Sequence, residues 1–380
     1  MNLQNINLLC IAPYRFLPAI NGGHKAIEQL YKEVGFLTKT IVVSTNNNDA
    51  TLAQHYKLIP LFSTHPLHYI NVFYFFKIKA IIKQANITHV MIEHPYMGWL
   101  GFLLKRFCGV VWMVRSHNIE AVRFKTLGKG WWKMMWLYES WVHRNADMSF
   151  FIMNDDRQFA IEKYHVSQQK CEVVTYGIYQ KQVPSPNEKK EAKTNLCQQY
   201  NVPFNNTILL FNGDLGYAPN RSAVETIVAG INPLLMQQTS FAYTLFICGK
   251  NLPELVQKQI KTKTENIIYT GFVNDVSHFY LAADVFINPV VTGGGIKTKL
   301  VEALAYNCNA VSTRSGAIGI EISVCNDKLL MVEDEDIKGF ADSIQRASQI
   351  NTNIGEAFYE KYNAENIAQH FLQTLHNSIP

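Results

Sequence analysis

Short runs that are apolar almost throughout alternate with helix-length segments along this chain, in two separate sets. In the first half the runs are INLLCIAPY (6–14), TIVVSTN (40–46), HVMIEHP (89–95), VVWMVRSH (110–117), MSFFIMN (148–154) and CEVVTYG (171–177). A strand with one face in water alternates apolar and polar residues. A strand that is apolar throughout has both faces covered, as in a parallel sheet flanked by helices. Segments 23–37, 71–84, 98–107, 120–145 and 155–165 have helix length and lie between these runs, so the first half reads as an α/β domain. Residues 179–206 then turn polar, charged and proline-bearing, which reads as a connection holding one short helix. Alternation resumes with strands at 207–213, 243–249, 266–271, 284–290, 309–316 and 328–334, and helices at 220–238, 253–263, 275–283, 296–307 and 336–348. The expected domains are 1–180 and 181–355, with a C-terminal helix in about 356–380 whose composition allows packing on either domain, the first being the one assigned.

A chain of 380 residues suits two such domains, and 48% hydrophobic with 17% charged residues excludes global disorder. No apolar run reaches the roughly 18–20 residues of a membrane span. The opening residues read as a first core strand, and the seven cysteines are widely spaced without a C-x-x-C pair. A reducing cytoplasm is therefore the expected location. Charge is uneven. Residues 70–145 carry a net +8 against +5 for the whole chain, and they hold all six tryptophans. Basic residues mixed with aromatic ones suit an anionic membrane surface, here through FYFFKIKAIIK (73–83) and WWKMMWLYESWVHR (131–144). A buried aromatic helix with surface lysines fits the same composition. No nucleic-acid module signature is present.

Two α/β domains that face each other would set their strand C-terminal loops around a cleft, where ligands of open α/β sheets bind. The strongest motif in such a loop is NPVVTGGGIKTKLVEALA (288–305). Gly293, Gly294 and Gly295 let the backbone approach a ligand closely, and the following helix start offers unpaired N–H groups. Lys297 and Lys299 add charge there, and Glu302 follows at helical spacing from Lys299. A diphosphate near the helix start and sugar hydroxyls at the glutamate would match this order; a plain glycine turn with solvated lysines would too. Gly22-Gly23 before a helix is a second phosphate candidate. His117 ends a strand and is the candidate for the reaction centre, with Glu93, His94 and Asn118 as candidates facing an acceptor. No Asp-x-Asp pair suggests a metal, so no metal or other cofactor is expected.

At these residues the chain resembles the family 4 glycosyltransferases, over nearly its full length. FNGDLGYAPN (211–220) looks like the family's opening loop of the second domain, and YTGFVNDVSHFYLAADVFINPV (269–290) looks like the stretch that holds the base. GGGIKTKLVEALA resembles the phosphate and ribose loop-helix, APYRFLPAINGGHKAIEQL (12–30) the Gly-Gly loop, and VRSHNIE (114–120) the His-Asn segment beside the reacting sugar. The resemblance implies a GT-B fold: two facing Rossmann-like, doubly wound parallel-sheet domains with a cleft between them. It also implies transfer of a sugar from a nucleotide-diphospho-sugar, a UDP- or GDP-sugar, to a glycan or lipid-linked acceptor, with retention of configuration. On the resemblance, Gly22, Gly23, Gly213, Asp214, Asn220, Gly294, Gly295, Ile296, Lys297, Lys299 and Glu302 hold the donor, and Phe272 and Val273 lie by the base. Two departures stand out. Members often carry two glutamates separated by seven residues, and the first falls on Gly294. The basic pair many members place after the opening loop is replaced by Asp214 and Asn220. A nucleotide-sugar epimerase, or a degenerate partner that binds without turnover, stays open beside the transferase.

Overall fold

The computed structural model describes residues 6–377. It divides into two compact units, one of Met1–Gly177 with Ala364–Pro380 and one of Ile178–Asn363.

The first unit is a sheet of seven parallel strands: β1 (Asn7–Ala12), β2 (Lys39–Thr45), β3 (Lys57–Phe62), β4 (His89–Glu93), β5 (Val111–Ser116), β6 (Met148–Phe151) and β7 (Cys171–Val173), in the order β3-β2-β1-β4-β5-β6-β7. Successive residues of its strands feed opposite cores. Leu8 and Cys10 join Met91 and Met113 on one face, while Leu9 and Ile11 join Val90, Trp112 and Val114 on the other. This is why these strands read as continuously apolar.

The second unit has six parallel strands: β8 (Thr207–Asn212), β9 (Tyr243–Cys248), β10 (Ile267–Gly271), β11 (Val285–Asn288), β12 (Asn309–Thr313) and β13 (Leu329–Val332), in the order β10-β9-β8-β11-β12-β13. In both sheets the winding reverses once, between β1 and β4 and between β8 and β11. Loops leaving such a pair diverge to opposite faces and open a crevice at their carboxyl ends.

Four features depart from the sequence reading. Strand β3 was not among the expected strands; it holds Pro60 and pairs only with β2, at the sheet edge where proline is tolerated. The helix expected in the polar stretch 179–206 lies within the expected second domain but is not short: Pro186–Tyr200 packs as part of that unit, where Lys193 pairs with Asp284 at 2.7 Å and Tyr200 meets Phe246. Segment 120–145 forms two helices, Glu120–Thr126 and Trp132–Asn145, with Gly128 at φ +68° between them. The tail also divides. Helix Glu356–Tyr362 stays with the second unit, its Tyr359 hydroxyl donating to the Ala305 carbonyl, and that unit ends at Asn363 where 355 was expected. Helix Ala364–Asn377 returns to the first unit and places Ile367, Ala368, Phe371, Leu372 and Leu375 in its core.

The helix Trp132–Asn145 is neither wholly buried nor wholly exposed. Met135 and Val142 are buried, whereas Met134 and Leu137 are 72% and 71% exposed. Phe73 and Phe76, on helix Phe73–Ala85, are also exposed. Among the described residues no helix is long and apolar enough to cross a membrane.

Candidate functional site

In the second unit the candidate residues gather where the winding reverses. The chain leaves β11 at Asn288, turns through the glycines, and enters the helix Thr298–Ala305. Gly293 and Gly295 have φ +94° and +70°, which a residue with a side chain adopts only at a cost. The Lys297 ammonium group folds back over this turn and donates to the carbonyls of Gly293 at 2.8 Å and Gly295 at 2.9 Å. Ile296 is half-buried beside it, and Gly294 is exposed. Lys299 reaches across the crevice from the β11 side to the β8 side. Its Nζ donates to the Asn212 carbonyl at 3.1 Å and to Asn220 Oδ1 at 3.0 Å. Gly213, at φ +156°, leaves room for Asn220, because a Cβ there would lie 2.7 Å from the Asn220 amide nitrogen.

Neither lysine has a carboxylate partner among the described residues. Burial pushes Lys297 down to about 8, and burial together with Lys297 pushes Lys299 down to about 7. Two ammonium groups that are crowded by protein and unpaired with a carboxylate gain from an anion. Asp214, by contrast, is exposed and accepts from the Gly216 amide and Asn251, so it shapes its own turn. Glu302 accepts from the Tyr280 hydroxyl at 3.2 Å. That hydroxyl also accepts from Asn212 at 2.8 Å and donates to the Lys299 carbonyl at 3.3 Å. Tyr280 was not singled out in the sequence. Phe272 is exposed and Val273 half-buried in the loop after β10.

In the first unit the candidates again meet at the winding reversal. The helix Gly22–Leu37 follows β1, and Asn21 caps it by accepting from the His24 amide at 3.0 Å. Gly23 brings this helix start close to His117, since a Cβ at residue 23 would lie 4.0 Å from His117 Nδ1. The other ring nitrogen, Nε2, lies 2.7 Å from Glu93 Oε2. Glu93 is fully buried, so it stands behind His117 and offers no surface to an acceptor as the sequence reading had it. Tyr31 donates to Glu93 Oε1 at 2.6 Å, and Arg115 lies 3.3 Å from the same oxygen. The strand register dictates that ion pair, because Glu93 on β4 is the direct partner of Arg115 on β5. Although burial alone would raise it, Arg115, His117 and Tyr31 hold Glu93 down to about 2.

His94 repeats the arrangement one layer along. Its ring lies 4.5 Å from that of His117, and its Nδ1 lies 3.4 Å from Glu120. Glu120 in turn accepts from Tyr96 at 2.6 Å and Arg123 at 2.8 Å. The His94 backbone has φ +61°, uncommon for a residue with a side chain and a recurrent feature of functional sites. Asn118 is half-buried in the turn after β5. Tyr31, Tyr96, Arg115, Glu120 and Arg123 escaped the sequence reading as site residues; only the facing opposite charges of Glu93 and Arg115 could have signalled one of them. Among the described residues no group of three or more His, Cys, Asp or Glu could hold a metal ion.

Comparison with known proteins bears on both halves. Residues 29–180 match the model described as Glycosyltransferase Family 4, and residues 206–349 match the one described as Glycosyl transferases group 1. The chain belongs to the GT-B glycosyltransferases. Similar solved structures include sucrose-phosphate synthase from Thermosynechococcus elongatus, with a TM-score of 0.72 at 17% identity over 98% of each chain. HepE of Anabaena in complex with UDP and glucose also scores 0.72, at 14% identity over 98% of this chain and 100% of that one. A Klebsiella pneumoniae protein described as an uncharacterized 44.6 kDa protein in the cps region is 22% identical, over 67% of this chain and 66% of its own length. The GT-B assignment thus agrees with the parallel, once-reversed sheet of each unit.

Proposed function

We propose that this GT-B protein transfers a sugar from a nucleotide-diphospho-sugar, a UDP- or GDP-sugar, to a glycan or lipid-linked acceptor in envelope or exopolysaccharide assembly. One observation carries the donor: Lys297 folds over the glycine turn of the second unit, Lys299 reaches from the helix after that turn to Asn212 and Asn220, and among the described residues neither has a carboxylate partner. Breaking the bond between the sugar and the diphosphate builds negative charge on the leaving oxygens. Ammonium and amide donors already in place stabilise that charge without reorganising. In this scheme the acceptor hydroxyl forms the new bond to the anomeric carbon on the face the diphosphate leaves, and its proton passes to the departing phosphate oxygen. Configuration is then retained. Glu302, steadied by Tyr280, accepts from the ribose hydroxyls, and Phe272 and Val273 border the base.

The first unit holds the acceptor and presents His117 to the reacting sugar, with His94 nearby. The complex of HepE with UDP and glucose supports a nucleotide-sugar donor, since that protein shares the fold. Exposed Phe73, Phe76, Met134 and Leu137 on a basic unit support a peripheral site at the inner face of the cytoplasmic membrane.

A thermal-shift screen of UDP-, GDP-, ADP- and CMP-sugars tests the donor. A ligand at 100 times its Kd stabilises by about 2.7 kcal/mol, which is readily seen. One nucleotide class should raise the Tm, and Lys299→Ala should reduce the shift. No shift with any class, from folded protein, would sink the donor assignment.

A further inference from the structure

The His117–Glu93 contact fixes more than a position. An imidazole nitrogen 2.7 Å from a carboxylate oxygen must carry a proton, because two lone pairs at that distance repel. Glu93 is held as the carboxylate by Arg115 and Tyr31. Arg115 Nη1 also lies 3.4 Å from Nε2, but it is a donor at the edge of bonding distance, facing a nitrogen already committed to Glu93. On balance the surroundings oppose a second proton on the ring. Burial, the His94 ring on one face and the Arg115 charge all disfavour the imidazolium and hold His117 down to about 4, although Glu93 pulls the other way.

With Nε2 protonated and the ring neutral, Nδ1 carries a lone pair. Among the described residues nothing donates to it, and the side of the ring it faces is the one where Gly23 has no side chain. We propose that Glu93 is a positioning residue that holds His117 in the Nε2–H tautomer, so that Nδ1 accepts a hydrogen bond from a hydroxyl of the ligand. The group then selects hydroxyl donors and disfavours phosphate oxygens, which bring lone pairs of their own. This deepens the transferase reading, in which the hydroxyl belongs to the reacting sugar. The tautomer itself does not depend on that reading.

Histidine-selective ¹⁵N NMR of the full chain distinguishes the two tautomers and the imidazolium. His117, assigned through its loss in His117→Gln, should show the neutral Nε2–H pattern at neutral pH. Glu93→Asp keeps the charge beside Arg115 but withdraws the acceptor from Nε2, so the ring should become a mixture of tautomers in a folded protein. Glu93→Gln should do the same, since the amide can present either its oxygen or its NH₂ to Nε2. An Nδ1–H ring or an imidazolium in the wild type would overturn the proposal, as would an unchanged tautomer in Glu93→Asp. If the tautomer is as stated and no nucleotide-sugar binds, the transferase reading fails while the role of Glu93 stands.

Discussion

The Lys299 ammonium group lies 4.2 Å from the centre of the Phe211 ring, a cation set against the face of a buried aromatic. The ring and two carbonyl acceptors stabilise the charge only in part, and the group stays near neutrality, at about 7. A bound diphosphate favours the charged form. Below pH ~7 the cation is already present in the unliganded site, whereas above it each binding event must first take up a proton. Donor affinity should therefore fall as pH rises above about 7, by up to roughly tenfold per unit. Calorimetry at pH ~8 in buffers of different ionisation enthalpy should show proton uptake, and Lys299→Arg should reduce it to the share taken up by Lys297, because arginine stays charged while Lys297 is itself pushed down to about 8.

Tyr280 joins three elements of the same site through one hydroxyl, and Tyr280→Phe deletes only that oxygen. Asn212, whose Oδ1 already lacks a partner among the described residues, and Glu302 would each lose a bond. A loss of about 1–3 kcal/mol in stability is expected. If Glu302 meets the ribose, KM for the donor should rise by more than kcat falls, which steady-state kinetics on the variant resolves.

Asp156 is buried in the first unit, its Oδ2 without a hydrogen-bond partner among the described residues, and burial, with Glu139, Asp155 and Glu120 nearby, pushes it up to about 8. Its folded value lies above the unfolded one, so the native state binds the extra proton. Its contribution to stability is full below pH ~4 and is lost as pH rises through about 8. Asp156→Asn removes the titration. The variant should gain on the wild type with increasing pH between about 4 and 8, with a limiting slope of about 1.4 kcal/mol per unit. Urea denaturation of both proteins across that range reads the difference directly.

Membrane binding divides into an apolar and an electrostatic part. Phe73→Glu with Phe76→Glu places charge where exposed rings now stand, and both positions lie on the helix that carries Lys77, Lys79 and Lys83. Co-flotation with vesicles rich in phosphatidylglycerol should fall severalfold for the pair, with the Tm unchanged. Flotation of the wild type should weaken as salt is raised. A wild type that never floats would remove the membrane from the scheme.

What could be read in advance follows from how local each signal is. Strands covered on both faces leave an unbroken apolar run such as ILLF in β8, and the glycine turn at 293–295 announces itself by composition. The lysines were legible for the same reason, being adjacent to that turn. Tyr280 was not, because its partners are 19, 22 and 68 residues away and nothing in HFYLAAD marks the hydroxyl as shared. Glu93 was legible as a residue at a strand end but not as a buried one. Its burial depends on register with Arg115, which the alternation pattern does not specify. Strand β3 holds Pro60, whose meaning depends on whether the strand lies at an edge.

The chain leaves the first unit at Gly177 and re-enters it at Ala364, and the two crossings touch. A Cβ on Gly177 would lie 2.9 Å from Ala364 Cα. The second unit is thus an insertion within the first, in sequence if not in size. A ribosome delivers every residue of the inserted unit before it delivers Phe371 and Leu372, which the host unit's core requires. The half that begins first is the half whose core is completed last.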